Sequence, residues 1–310
     1  MTASPLESTA PAAAFTSDDE LAIIGFAANA QTADMPCAIV TLVDIRGGSA
    51  RALGAQMAVC IDGRYCGYVS GGCTESAVAA EAVSAIQSGH DRFLKLGAGS
   101  PFFDIQLPCG GGITLFIHVV RPGDPLDQIK AKLQGRERVS LVLNTSSESA
   151  SLKAGTHVSG WDNEHFIRGY LPRVKLVIIG DSIEAMTTAE LGVASGFEVD
   201  LRDPKAPVSS LSADIDSDTA VALLQHGFRN EVVVLRDILQ SDAFYIGALG
   251  STRTNAIRCQ ALIEVGLLPV HINRLIAPIG IFPKARTASA VALSVLGQIV
   301  AIDRQALLAS

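Results

Sequence analysis

Residues 174–186, VKLVIIGDSIEAM, carry the pattern that decides the fold of the second half of this chain. The apolar run at 174–179 is typical of a buried strand, and Gly180 ends it. A helix is predicted over 182–195, and Gly196 follows it directly. The stretch therefore predicts a strand that passes through a glycine turn into a helix.

The same alternation continues toward the C-terminal end of the chain. Further strands are predicted at 197–201, 219–224 and 243–246, and further helices at 230–240, 253–265 and 286–305. Strands that alternate with helices indicate a parallel sheet covered by helices. The segment 173–310 is therefore predicted to be a Rossmann-like parallel-sheet domain.

The pattern before Pro172 is different, because short strands predominate there. Strands are predicted at 37–45, 55–61, 65–69, 102–107, 113–120 and 139–144, and helices at 18–30, at 74–88 and within 121–172. This mixture predicts an α+β domain over 18–172, preceded by a mobile tail over 1–17. The whole chain is thus predicted to be an α/β protein of two domains.

Composition excludes several classes of protein. The 310 residues include 24 Lys plus Arg and 31 Asp plus Glu, for a net charge of −7, and 48% are hydrophobic. Such a chain is not disordered, and it lacks the basic surface of nucleic-acid-binding proteins. No stretch reaches the about 18–20 uncharged apolar residues that a membrane span needs, and the N-terminus does not resemble a signal peptide. We therefore expect a cytoplasmic protein without nucleic-acid or membrane partners.

The six cysteines are predicted to be free thiols. Their spacing includes no C-x-x-C pair and no repeat typical of zinc sites. Asp62-Gly63 is a strong hairpin signal, and a two-residue turn there would put Cys60 and Cys66 on opposite faces of the hairpin. A disulfide between them is therefore not expected.

Three glycine-rich turns stand out in the first domain: GGSAR at 47–51, SGGCTE at 70–75 and PCGGG at 108–112. Glycine permits positive φ and close approach to a ligand, and successive N–H groups in such turns form anion-binding concavities. Any one of them is also typical of a hairpin turn or bulge. However, this domain has three such turns, two of which contain Cys and one of which contains Arg. Together they favour a ligand site, although a structural role stays open.

Cys73 is the most reactive candidate in these turns. It precedes the predicted helix 74–88, where free N–H groups and the helix dipole lower a thiol pKa. It could attack a substrate, ligate a soft metal or carry sulfur, or it could be a small packing residue. Arg51 could pair with a phosphate or form a surface salt bridge. Glu75 is equally explained by helix capping.

The second domain contains an altered dinucleotide fingerprint. Gly180 ends the first strand, and Asp203 closes the next one about 20 residues on, where a ribose-binding acid would lie. Ser182 replaces the second glycine, and Asp181 and Glu184 add negative charge where phosphates would rest. NAD(P) binding is therefore not predicted. Other candidates at the carboxyl ends of strands are His226, Gly247, Gly250 and Ser251.

Five stretches together carry a family resemblance. They are VTLVDIRGGSARALGAQMAVCIDGRYCGYVSGGCTES at 40–76, LPCGGGITLFI at 107–117, LVIIGDSIEAM at 176–186, YIGALGSTRT at 245–254 and RLIAPIGI at 274–281. In this order they resemble the XdhC/CoxI family of xanthine dehydrogenase accessory proteins, from about residue 20 to about residue 305. The family pairs a cofactor-handling domain with a Rossmann domain.

The resemblance implies a molybdenum cofactor insertion chaperone without turnover. Family members bind molybdenum cofactor (molybdopterin), work with a cysteine desulfurase that replaces a metal oxo ligand by sulfido, and pass the product to an apo molybdenum hydroxylase. It leaves open whether the cofactor is the mononucleotide or a cytosine dinucleotide, and whether the protein is a homodimer.

The residues of this chain that match the family's motifs are its implied site residues. The implied cofactor-binding residues are Gly47, Gly48, Ser49, Arg51, Ser70, Gly71, Gly72, Cys73, Glu75, Cys109, Gly110 and Gly111. Cys73 is also the candidate catalytic residue and the candidate ligand of the molybdenum. This chain has Ala50 where many members have Pro, and one residue fewer before Arg51.

Larger departures from the family pattern lie in the second domain. The usual G-A-G-H turn is Gly180-Asp181-Ser182-Ile183 here, and the usual T-H-D is Gln225-His226-Gly227. These departures count against a nucleotide role there. Two other functions stay open: an NAD(P)-binding oxidoreductase, and a sulfur-transfer enzyme that uses a cysteine persulfide.

Overall fold

The computed structural model describes residues 10–72, 74–97, 110–155, 157–225, 230–282 and 284–302. These residues form two compact units, and the division falls between Pro172 and Arg173. None of the described helices is both long enough and apolar enough to cross a lipid bilayer.

The first unit is built on a six-stranded sheet. Its strands are β1 (Ala12–Phe15), β2 (Cys37–Arg46), β3 (Gln56–Cys60), β4 (Arg64–Gly67), β5 (Arg92–Gly97) and β6 (Gly112–Val119). Their order is β1-β4-β3-β2-β6-β5; β1 pairs with β4 in parallel and the other neighbours pair antiparallel. The predicted strand at 102–107 lies outside the described residues. β5 is not predicted, because Arg92 and Lys95 interrupt its apolar residues.

β1 corrects part of the expectation of a mobile tail over residues 1–17, because Ala12–Phe15 form a strand, whereas residues 1–9 lie outside the described residues. Ala12 N–H donates to the carbonyl of Gly63 at 3.1 Å, and Phe15 lies beside Cys66 in the register. All four side chains of β1 are exposed, so the segment has no buried face that a hydrophobic pattern could reveal. Backbone pairing at a sheet edge needs no such pattern.

Helices cover both faces of this sheet. Ile39 packs in the core cluster with α1 (Glu20–Thr32), whereas its neighbour Val40 packs in the cluster with α2 (Glu75–Ser88). Successive strand residues face opposite sides, so a strand covered on both sides must be apolar at nearly every position. Gly89, in the left-handed region at φ 73°, ends α2. The predicted helices 18–30 and 74–88 are thus confirmed within two residues.

The Asp-Gly hairpin differs from its prediction by one residue. β3 ends at Cys60 and β4 begins at Arg64, so the loop has three residues rather than two. Cys66 therefore lies opposite Ala58, and Cys60 and Cys66 share one face of the sheet. The prediction of opposite faces was wrong, but Cys37, Cys60, Cys66 and Cys259 are all free thiols, as predicted.

A second, antiparallel sheet completes the first unit. Its elements are α3 (Leu126–Gln134), β7 (Val139–Asn144), β8 (Ser149–Ala154), β9 (Gly160–Asp162) and β10 (His165–Tyr170), with strand order β8-β7-β10-β9. The sequence predicts α3 and β7 only. β10 was missed because Arg168 interrupts its apolar residues, yet that arginine is buried and paired with Glu20 at the start of α1.

The second unit is the predicted Rossmann-like domain. Its strands are β11 (Lys175–Ile179), β12 (Glu198–Arg202), β13 (Thr219–Leu223), β14 (Tyr245–Ala248) and β15 (Leu275–Ile276), all parallel, in the order β12-β11-β13-β14-β15. Counted within the unit this order is 2-1-3-4-5, so the topological switch point lies between β11 and β13.

Helices lie on both faces of the parallel sheet. They are α4 (Ile183–Ala194), α5 (Val208–Leu211), α6 (Glu231–Leu239), α7 (Thr252–Glu264), α8 (Pro269–Ile272) and α9 (Ala288–Val300). Val221 packs with α6, whereas the next residue, Ala222, packs with α9. The last helix begins two residues later than predicted, because Thr287 caps it by accepting a hydrogen bond from Ala290 N–H.

Candidate functional site

The turn at 47–51 and the turn that opens β6 meet at the end of the large sheet. Arg46, the last residue of β2, pairs with Gly112, the first of β6. A Cβ on Gly111 would clash with the carbonyl oxygen of Gly48 and would lie 2.9 Å from that of Arg46. Only glycine permits this approach of the two turns. Of the third turn, Gly110 to Gly112 are described, and Cys109 lies outside the described residues.

The turn at 70–72 reaches the same place from β4. Gly71 and Gly72 have φ values of 96° and 100°, a region that favours glycine. A Cβ on Gly71 would lie 3.0 Å from the Cβ of Ala50. The structure therefore brings together residues of all three glycine-rich turns, with turn 47–51 touching the other two. Cys73, the candidate nucleophile and metal ligand, lies outside the described residues.

Glu75 holds the turn 70–74 in place. Its carboxylate accepts hydrogen bonds from the N–H groups of Val69 (3.1 Å), Ser70 (2.9 Å) and Thr74 (3.1 Å), and from the Ser70 hydroxyl at 2.8 Å. Burial opposes ionisation of this carboxyl, which is only 4% exposed, but the hydrogen bonds from Ser70 and the turn outweigh burial and lower its pKa. Glu75 is thus an ionised acceptor whose oxygens are used by the turn itself.

Arg51 is held beside the turns by an aromatic ring. Its guanidinium carbon lies 4.3 Å from the centre of the Tyr68 ring, and Nη1 lies 3.6 Å from Asp18 Oδ2. Its Nε is buried and has no hydrogen-bond partner among the described residues. Ser49 shapes the same turn, because its hydroxyl accepts from Arg51 N–H at 3.2 Å.

Two further polar groups with unused capacity were missed by the sequence analysis. Within the described chain, Arg46 Nε and Thr74 Oγ1 are buried and unpartnered, and Thr74 precedes α2 without capping it. Arg46 directly precedes Gly47-Gly48, and Thr74 directly follows Cys73. These positions next to the glycine-rich turns could have indicated them from the sequence. With Arg51 Nε, these two groups are three unsatisfied polar groups in or next to the glycine-rich turns, and such groups suit an anion with several oxygens.

Three cysteines of the first unit are buried thiols. Burial raises the pKa of Cys37 to about 12, and those of Cys60 and Cys66 to about 11. These thiols stay protonated at neutral pH. Among the residues the structure describes, no group of three or more His, Cys, Asp or Glu side chains could hold a metal ion.

In the second unit, a hydrogen bond within the protein joins the ends of the two strands at the switch point. Ser182 Oγ donates to the carbonyl of Leu224 at 3.0 Å and accepts from Ala185 N–H, so it both links β11 to β13 and caps α4. A Cβ on Gly180 would lie 2.7 Å from the same carbonyl, which explains this glycine by packing. Asp203 accepts from Lys205 N–H within its own turn. His226 lies outside the described residues.

Gly247 and Gly250 have different surroundings. A Cβ on Gly247 would lie 2.6 Å from Ile279 Cδ1, so close packing requires glycine there. Gly250 instead lines a cavity of about 600 Å³, and Ser251 caps α7 by accepting from Thr254 N–H at 3.1 Å. The structure therefore separates the second-unit candidates into two groups, one at β11 to β13 and one after β14.

These features define a class of two-domain proteins in which an α+β unit with clustered glycine turns precedes a Rossmann-like unit. Residues 30–97 match the family described as "XdhC and CoxI family", and residues 176–299 match "XdhC Rossmann domain". The chain is 46% identical over 292 residues to the molybdenum cofactor insertion chaperone PaoD of Escherichia coli K12, covering 94% of this chain and 91% of that protein. This chain belongs to the XdhC and CoxI family.

A more distant relative and one crystal structure are also similar to this chain. A probable xanthine dehydrogenase component of Bacillus subtilis 168 is 23% identical over 313 residues, covering 84% of this chain and 92% of that protein. A crystal structure described as a xanthine dehydrogenase from Bacillus halodurans superposes with a TM-score of 0.69 at 21% identity, covering 89% of this chain and 94% of that one. This likeness shows a common fold.

Proposed function

We propose that this chain is a molybdenum cofactor insertion chaperone for a xanthine dehydrogenase-type molybdenum hydroxylase. The observation that carries the proposal is the 46% identity to a molybdenum cofactor insertion chaperone along 94% of the chain. The convergence of three glycine-rich turns supports it, because a chaperone needs a site for its cargo.

The turns would hold the cargo by its polar parts. Molybdopterin carries a phosphate and a flat polar pterin, and the metal when bound supplies the soft centre on which the client's redox chemistry depends. Arg46 Nε, Arg51 Nε and Thr74 Oγ1 are buried without partners in the described chain, and they would donate to phosphate or pterin oxygens. Glu75 would keep the turn 70–74 in shape. Cys73 and Cys109 would contribute to cofactor binding, with Cys73 as the candidate ligand of the metal.

The finer parts of the function are proposals of the same kind. A cysteine desulfurase would supply sulfur, the cargo would be the mononucleotide or its cytosine dinucleotide, and the chain could act as a homodimer. The cytoplasmic location also stays a prediction. An NAD(P) oxidoreductase is disfavoured, because Ser182 bridges the switch point where a dinucleotide would lie in an open sheet of this order.

Retention of cofactor by the purified chain tests the proposal. After ultrafiltration, we expect the chain to retain about one equivalent of molybdenum cofactor, whereas NAD should pass through the filter. Arg51→Gln should weaken cofactor retention on the order of tenfold, because it removes a charged donor from the turns. Arg64→Gln is the matched control, since Arg64 lies at the opposite, exposed end of the same sheet and forms its ion pair with Asp62 there.

One result would contradict the proposed function, and another would contradict the proposed role of Arg51. The first is retention of NAD but not of molybdenum cofactor. The other is equal retention of the cofactor by wild type and Arg51→Gln with an unchanged melting temperature, which would remove Arg51 from the site. Release of the retained cofactor and nucleotide analysis would distinguish the mononucleotide from the cytosine dinucleotide.

A further inference from the structure

Arg258 presents an unused donor to the turn after β14. Its Nε and Nη2 bind Glu231 Oε1, and Nη2 also donates to the carbonyl of Leu249 at 3.0 Å. The side chain is only 3% exposed, yet Nη1 is buried with no hydrogen-bond partner among the described residues. An unpaired buried guanidinium nitrogen is costly unless a ligand satisfies it.

Gly250 packs closely against Arg258 and Thr254. Its φ of 145° is a conformation that L side chains rarely adopt. The position that a Cβ would take on Gly250 lies 3.6 Å from Arg258 Nη1 and 3.3 Å from Thr254 Cβ. The backbone of the turn therefore lies directly beside a buried positive group.

The start of α7 adds backbone donors at the same turn. Ser251 caps the helix, and its hydroxyl is already used by Thr254 N–H. The N–H groups of Thr252 and Arg253 have no acceptor in the described part of the chain. Free N–H groups at a helix N-terminus, together with the helix dipole, favour an anion.

The cavity beside Gly250 carries further positive charge. About 600 Å³ in volume, it is lined by Lys284 and Arg286, both exposed and without an ion-pair partner within the described ranges. Glu184 is the acidic residue on its lining.

We propose that the Gly250 turn, with Arg258, Lys284 and Arg286, binds a phosphate group. The site is centred on the turn after β14, and Glu184 at the start of α4 also lines its cavity. The phosphate could belong to a nucleotide or to a pterin cofactor, since both present the same group. The proposal does not rest on the function of the first unit.

Isothermal titration of the full chain with inorganic pyrophosphate tests this site. We expect one equivalent to bind, with affinity reduced at least about tenfold in Lys284→Glu/Arg286→Glu. The matched control is Lys205→Glu/Arg236→Glu, which changes the net charge equally at two exposed ion pairs outside the cavity. Its affinity should stay within about twofold of wild type.

A third variant tests the buried donor itself. Arg258→Lys keeps the charge but removes the planar fork, so pyrophosphate affinity should again fall about tenfold while the melting curve stays cooperative. If that variant unfolds, the exposed double variant still decides the question, because Lys284 and Arg286 have no structural partners in the described chain.

Two further measurements distinguish the possible sources of the phosphate. Tighter binding of cytidine or adenosine diphosphate than of pyrophosphate would assign the site to a nucleotide. Loss of molybdenum cofactor retention in Lys284→Glu/Arg286→Glu would assign it to the cargo. Absence of pyrophosphate and nucleotide binding to wild type, or equal weakening in both double variants, would overturn the site without affecting the proposal for the first unit.

Discussion

At the scale of single residues, Glu75 shows how a charged side chain can shape a site without facing a ligand. Four hydrogen bonds from the turn 69–74 reach its carboxylate, and they hold its pKa down despite burial. The family resemblance implied that Glu75 belongs to the site, whereas its position in the sequence was equally explained by helix capping. Its role as the acceptor for that turn became visible only with the turn folded around it.

Glu75→Gln should loosen the turn 69–74. One amide group cannot replace both acceptor oxygens, so we expect a loss of about 1–3 kcal/mol of unfolding free energy and faster amide exchange in that turn. Urea unfolding and hydrogen exchange measure the two effects. Glu81→Gln, on the partly exposed side of the same helix, is the control and should change neither. Unaltered exchange in Glu75→Gln would contradict the positioning role.

At the scale of elements, one buried ionic network joins four parts of the first unit. His118 on β6 lies 2.6 Å from Asp91, before β5, and 3.0 Å from Asp124, before α3. Arg121 bridges Asp91 at 2.8 Å and Glu148, in the turn between β7 and β8, at 2.6 Å. Sequence patterns did not reveal this network, because its members come together only when both sheets have formed.

The network predicts a loss of stability at alkaline pH. Burial alone would lower the pKa of His118, but hydrogen bonds and charges of Asp124 and Asp91 raise it from 6.5 to about 8. A raised pKa stabilises the fold fully below the unfolded value and loses that contribution as pH rises through the folded value. We therefore expect the unfolding free energy to fall by about 2 kcal/mol between pH 6 and pH 9.

Urea unfolding across this range provides the measurement. His118→Gln should remove the alkaline slope, whereas His90→Gln, at an exposed histidine, should keep it. A flat wild-type profile would show that His118 titrates normally.

Asp91 has the opposite effect on the pH dependence of stability. Burial would raise the pKa of Asp91, but His118 and Arg121 lower it. Its contribution to stability is therefore present above its ordinary pKa and is lost in acid.

At the scale of the whole molecule, insertion into a client requires more than retention of a cofactor. Cys73→Ala should leave folding intact, because one small side chain is shortened, and it should reduce activation of an apo molybdenum hydroxylase several-fold. Cys259→Ala, a half-buried thiol on α7, is the control and should activate the client normally. Normal client activity with Cys73→Ala would exclude a role for that thiol.

The sequence by itself determined the class of fold, the Rossmann-like unit, the family and the three glycine-rich turns. The fold class, the Rossmann-like unit and the turns depend on local periodicity and on glycine spacing, which are properties of neighbouring residues. The family follows from the resemblance of five short stretches to its motifs. Tertiary structure alone decided that β1 and β10 are strands, that Cys60 and Cys66 share a face, and that Gly111 approaches Gly48. It also decided that Arg258 has an unused donor beside Gly250. Pairing register, burial of charge and unsatisfied hydrogen bonds depend on residues far apart in the chain, and no local pattern encodes them.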